Sequence, residues 1–130
     1  MSYLIFNIFM TSKELESRLK SFAYRAVKVC EAFPQKKLCR IIEDQFLRSA
    51  FSAAANYRAA CRAISKKSFI SKLSIAFEEI DESLFWLEVV NDLQLIKTHQ
   101  LAGVISEANE LCSILASARK TSQKNQSLKP

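Results

Sequence analysis

The stretch QFLRSAFSAAANYRAACRAISKKSFISKLSIAFEEIDESLFWL, residues 45–87, decides the fold. It reads as two long helices joined by a tight polar turn. Before the turn, Leu47, Ala50, Ala54, Tyr57, Cys61 and Ile64 recur at alternating steps of three and four, the spacing of one helical face. After it, Ile70, Leu73, Phe77, Ile80, Leu84 and Leu87 keep the same rhythm. The break is Ser65-Lys66-Lys67-Ser68, where Ser65 or Ser68 serves as N-cap. Ala50, Ala53, Ala54, Ala55, Ala59 and Ala60 present small side chains that let a neighbouring helix come close, so this segment is expected at the centre of the packing.

Working outward, the periodicity predicts a helix over 12–33, with Leu15, Leu19, Phe22, Ala26, Val29 and Phe33 on one face. Thr11 or Ser12 caps it, Glu14 and Glu16 suit its first turn, and Pro34 stops it. The two central helices are expected over 36–65 and 68–93, and a last one over 98–121, capped by Thr98, with Leu101, Val104, Ala108, Leu111, Leu115 and Ala118 inward. Short connections force antiparallel neighbours, so the expected fold is all-α, an antiparallel up-down-up-down four-helix bundle. One glycine and two prolines among 130 residues are too few for a fold of many turns. The bundle is assigned to residues 11–121, with an apolar N-terminal extension at 1–10 and a polar, frayed tail at 122–130. The extension, MSYLIFNIFM, is too short to span a bilayer and lacks the basic start and cleavage site of a secretory signal. Its other reading is a staple, through Leu4, Ile5 and Phe6, across the bundle or onto a neighbour.

The apolar supply exceeds one stripe per helix. Phe51, Phe69, Phe85, Trp86, Val89 and Val90 fall off the main faces, where they either broaden the core or form a second face for self-association. The four aromatics are the candidate oligomer interface.

Formal net charge is +6, which permits a polyanion partner. Bundle topology brings the start of the first helix, the central turn and the end of the last helix to one pole. There the chain carries Lys13, Arg18 and Lys20, then Arg58, Arg62, Lys66, Lys67 and Lys72 with no acid between them, then Arg119, Lys120 and Lys124. Glu78, Glu79, Asp81, Glu82, Glu88 and Asp92 lie towards the other half. A basic pole of this kind attracts a phosphate backbone through counterion release. Arg58, Arg62, Lys66, Lys67, Lys72, Arg119 and Lys120 are the candidate nucleic-acid-binding residues, and Tyr57 is placed to stack on a base or to fill the core. The competing readings are a solvated face, and a basic half that meets the acidic half of a second subunit.

Catalytic constellations are missing from the sequence. His99 is the lone histidine, so no ExxH or HExxH pair exists, and the single glycine, Gly103, cannot build a phosphate loop. Glu78 and Glu82, one turn apart, suggest a divalent-metal pair less well than a solvated or subunit-facing surface. Cys30, Cys39, Cys61 and Cys112 lack metal spacing and read as small buried hydrophobes in a reducing cytoplasm. No enzyme, metal or cofactor is expected.

Four blocks carry a resemblance. They are Leu47-Arg48-Ser49-Ala50; Ala55-Asn56-Tyr57; Phe69, Ile70, Lys72 and Leu73; and Glu79, Glu82, Trp86 and Leu87. Together they resemble the four helix bundle protein family, also called the 23S rRNA-intervening-sequence protein family, across the two central helices. The resemblance implies a small bacterial cytoplasmic protein without established catalysis, assembled as a homopentamer, with many relatives encoded inside rRNA intervening sequences. It extends distantly to the accessory protein of diversity-generating retroelements, which implies a basic ring that binds RNA or DNA and a reverse transcriptase. Ala59 departs from the glutamate that commonly follows Asn-Tyr-Arg in the family. The expected function is therefore a non-enzymatic oligomer that binds nucleic acid or a nucleic-acid enzyme. The alternative is a structural protein without such binding.

Overall fold

The computed structural model describes residues 10–127, with side chains through Asn125. Both readings of residues 1–9 lie outside the described residues. Four helices follow one another: α1 (Ser12–Glu31), α2 (Lys37–Cys61), α3 (Lys66–Asp92) and α4 (Thr98–Ser127). Contacts join α1 to α2, α2 to α3, α3 to α4 and, more sparsely, α4 to α1, while neither diagonal pair comes together. That is the expected up-down four-helix bundle, closed least tightly at the α1–α4 seam. Among the described residues no helix is long and apolar enough to cross a membrane.

The helix ends follow local chemistry. Thr11 Oγ1 accepts from the Glu14 amide at 3.1 Å and Ser65 Oγ from the Ser68 amide at 3.0 Å, each satisfying one orphan donor of a first turn. At the α3–α4 turn, Gln94 adopts φ 51°, a left-handed conformation usually left to glycine. The Leu95 amide bonds the Val90 carbonyl and the Gln94 amide bonds that of Asn91, both at 3.0 Å. This is the Schellman pattern. The expected cap role of Thr98 is replaced by a tie back to α3: its hydroxyl donates to Asn91 Oδ1 at 2.8 Å and accepts from Gln94 Nε2 at 3.2 Å.

The α4 helix runs on to Ser127, past the expected end at 121, and Ser122 is buried. Met10, placed with the extension, packs against the core. The inward face of α2 is turned from the expected stripe. In α2 the buried residues are Cys39, Ile42, Phe46, Ser49, Ala50, Ala53, Tyr57 and Ala60, while Ile64 is fully exposed. In α3 the expected Ile70, Leu73, Ile80 and Leu87 are buried, joined by Ala76 and Ser83, while Phe77 and Leu84 are half-buried. The smallest side chains sit where α2 and α3 approach each other, because close helix approach excludes large ones. In α4 the six expected positions are all buried.

Candidate nucleic-acid interface

The α2–α3 turn forms the tip of the candidate site. Arg58, Arg62, Lys66 and Lys67 are exposed there, Lys72 is half-buried, and among the described residues none of the five forms an ion pair. The start of α1 joins this tip: Glu16, Ser17, Lys20, Ala23 and Tyr24 of α1 face Phe51, Ala54, Ala55, Arg58 and Arg62 of α2 across a groove of about 440 Å³. Tyr24 and Phe51 are 54% and 42% exposed, and their ring centroids lie 6.3 Å apart, tilted by 56°.

The cations do not form one patch. Arg119 is half-buried on the α3–α4 side, with its guanidinium 4.4 Å from the centre of the Phe77 ring. Lys120 is exposed on the same helix. Arg58 and Arg62 open onto the α1–α2 side. Arg18 is withdrawn from the basic set altogether. Its Nε and NH2 donate to the two Glu107 oxygens at 3.0 and 2.7 Å, and NH2 lies 3.0 Å from Glu110. These partners raise its pKa, led by the Glu107 hydrogen bond, so it stays charged, and the two carboxylates offset that charge in the α1–α4 seam. Of the two readings of Tyr57 the core one holds: the residue is fully buried and cannot reach a base.

The four expected interface aromatics also separate. Phe69 is 7% exposed and packs in the core, so it offers no surface to a partner. Phe51 belongs to the groove. Phe85 is 52% exposed on α3 and meets half-buried Trp86 edge-on at 5.0 Å.

A second cluster lies midway along α2 and α3. Arg48 bridges helices, donating through NH1 to Glu79 at 2.8 Å and through NH2 to Glu82 at 2.6 Å. The other Glu82 oxygen accepts the Trp86 indole proton at 3.0 Å. Burial pushes the Glu82 carboxyl up, but the Trp86 and Arg48 hydrogen bonds outweigh it and hold it below the ordinary carboxylate range. Both Glu82 oxygens are thus engaged, one across the helices to Arg48 and one within α3 to Trp86, which leaves the Glu78–Glu82 pair poorly suited to a metal. Beneath this cluster, Ser49 and Ser83 hydroxyls meet at 2.8 Å in the core. Ser49 also donates to the Phe46 carbonyl at 3.0 Å, so Ser83 is the donor to Ser49. The sequence blocks around Arg48 and Glu79–Trp86 therefore hold two helices together, a role their spacing alone did not disclose.

His99 is exposed, and among the described residues no three His, Cys, Asp or Glu side chains gather as metal ligands. The four cysteines are free. Burial pushes the Cys30 and Cys112 thiols up to about 12, Glu43 adding to the first and Asp81 and Glu88 to the second. Burial also raises Cys61, against the opposing effects of Tyr57 and Arg62.

The profile of the 23S rRNA-intervening sequence protein family matches residues 14–117. The chain belongs to that family. A crystal structure of a protein of unknown function from the S23 ribosomal protein family of Bacteroides thetaiotaomicron is similar, at 29% identity and a TM-score of 0.76. The similarity covers 84% of this chain and 97% of that one. No curated protein matches the chain. The family match spans all four helices, and the Arg48–Glu79–Glu82–Trp86 cluster lies within it.

Proposed function

We propose that this intervening-sequence family protein is a non-enzymatic, self-associating bundle that binds nucleic acid, or an enzyme acting on it, through its basic tip. The observation that carries the reading is the group of exposed cations Arg58, Arg62, Lys66 and Lys67 around the α2–α3 turn, none paired with a described acid. Arg58, Arg62 and Lys66 stand at four-residue steps in the sequence, and the structure divides them between the last turn of α2, its C-cap and the start of α3. The test is binding of RNA across a salt series. Affinity is expected to fall steeply with salt, and the combined Arg58→Ala, Arg62→Ala and Lys66→Ala protein is expected to bind weakly with a flatter slope. Binding indifferent to both salt and these substitutions removes the proposal.

A second reading, a structural or scaffold protein without nucleic-acid affinity, is favoured by one specific observation. Leu38, Ile41, Phe85 and Leu93 are 45–53% exposed on α2 and α3. The antiparallel register fixed by Arg48 and Glu82 sets Leu38 and Ile41 level with the end of α3. Such an apolar surface suits self-association. A homopentamer, residence in the bacterial cytoplasm and service to a reverse transcriptase belong to the proposal through the family resemblance; the free thiols support the compartment. Light scattering with and without RNA separates the two readings.

A further inference from the structure

We propose that the α1–α2 groove is a binding site for single-stranded nucleic acid. An unpaired base stacks against Tyr24 and Phe51, and neighbouring phosphates lie on Lys20, Arg58 and Arg62. The proposal rests on the polyanion reading above and specifies its ligand.

The groove has two ends of different chemistry. At one end, Tyr24 and Phe51 face each other across the helices, each about half exposed. Half-exposed aromatics make ready stacking platforms, since every base presents a π-face. At the other end, next to the tip, Arg58 and Arg62 project from α2 and Lys20 from α1. Arg58 stands seven residues from Phe51, and Arg62 eleven, or about 10 Å and about 16 Å along the helix axis. The floor between them is Ala23, Ala54 and Ala55, whose short side chains leave the space open. A volume of about 440 Å³ accommodates a nucleotide-sized group. Glu16 faces the same groove and opposes an anion, but three cations outnumber it.

A duplex does not explain the aromatic end. Its bases are stacked on one another, so a protein reading only its backbone gains from the cations and leaves Tyr24 and Phe51 unused. An acidic peptide would likewise use only the cationic end.

The experiment compares a labelled single-stranded oligoribonucleotide with the duplex of the same sequence, by fluorescence anisotropy over a salt series. The single strand is expected to bind more tightly. Tyr24→Ala and Phe51→Ala are each expected to lower its affinity about tenfold at every salt concentration. Tyr24→Phe, which keeps the ring, is expected to retain wild-type affinity. Arg58→Ala with Arg62→Ala instead flattens the salt dependence, by about 0.7 in log–log slope per arginine. Circular dichroism checks that each variant folds, and light scattering checks its mass. Duplex binding as tight as single-strand binding overturns the groove assignment, and so does unchanged affinity in both alanine variants. A Phe51→Ala loss that coincides with a change of mass assigns that ring to self-association and overturns its stacking role. In each of these cases the polyanion reading stands if the arginine variants still weaken binding. Failure of every strand to bind overturns both.

Discussion

Arg48 and Ser49 are adjacent in sequence and act on opposite sides of the same helix contact. Arg48 reaches outward to Glu79 and Glu82, while Ser49 lies inward against Ser83. The outer pairs are partly solvated, Arg48 being 48% exposed, so screening limits their worth. Arg48→Ala is expected to destabilise the protein by about 1 kcal/mol in urea unfolding, with Arg48→Lys intermediate because an ammonium cannot fork to two carboxylates. The pH dependence follows from Glu82. Its folded pKa is depressed, so its contribution is complete above the unfolded value of about 4.5 and is lost as pH falls through the lower folded value. The stability gap between wild type and Arg48→Ala should therefore hold from neutrality down to about pH 4.5, narrow as the pH falls from there, and be gone below the folded value. In the core, Ser49→Ala strands the Ser83 proton, at about 1 kcal/mol, whereas Ser83→Ala leaves Ser49 donating to Phe46. The double variant should recover most of the Ser49→Ala loss. For Cys30 and Cys112, burial keeps the thiols protonated at pH 8, and their labelling in the native protein should be slow and become fast only on unfolding.

At the scale of elements, the α3–α4 turn and the start of α4 carry the informative departures from average helix chemistry. Gln94 occupies a left-handed position at a cost of about 1 kcal/mol, offset by its side-chain bonds to the Asn91 carbonyl at 2.7 Å and to Thr98. Gln94→Ala keeps the backbone cost and loses those bonds, whereas Gln94→Gly loses the bonds and removes the cost. The glycine variant should therefore be the more stable of the two by about 1 kcal/mol, read from thermal unfolding. Gly103 lies inside α4, where glycine weakens a helix relative to alanine by about 1 kcal/mol. A methyl group there would meet the guanidinium of Arg25 at 3.1 Å, and that is the far end of an exposed, flexible side chain. Gly103→Ala should raise the melting temperature, with Arg25 shifting aside.

Across the whole molecule, stability is uneven because the bundle is not closed equally on all sides. The α1–α4 seam has the sparsest contacts, and the Arg18 bridge to Glu107 and Glu110 spans it. Arg18→Ala should speed hydrogen exchange in α1 more than in α2 or α3, with a loss of about 1 kcal/mol in overall stability. The same closure distributes the charge. Folding brings the α1 start to the α2–α3 turn, which builds the groove, yet it sends Arg119 to the α3–α4 side and offsets the charge of Arg18. The basic pole is thus a tip with two flanks, and the α1–α2 flank combines cations with exposed aromatics in one groove.

Helix number, the break at Ser65, the antiparallel order and the buried face of α4 were legible in the sequence, because each depends on contacts within a few residues: a cap, a proline, a repeat of three and four. The phase of α2 and the small residues on the inner edge of α3 were not. Periodicity favours the largest apolar side chains, so Leu47, Ile64, Phe77 and Leu84 read as core. Close approach between two helices instead selects alanine and serine, and put Ala53, Ala60, Ala76 and Ser83 inward. The partners of Arg18 and Arg48, the burial of Phe69, the choice of core over stacking for Tyr57, and the pairing of Tyr24 with Phe51 were likewise decided by tertiary structure. Each is a meeting between helices, and a one-dimensional pattern fixes which residues share a face but not which neighbour that face will touch.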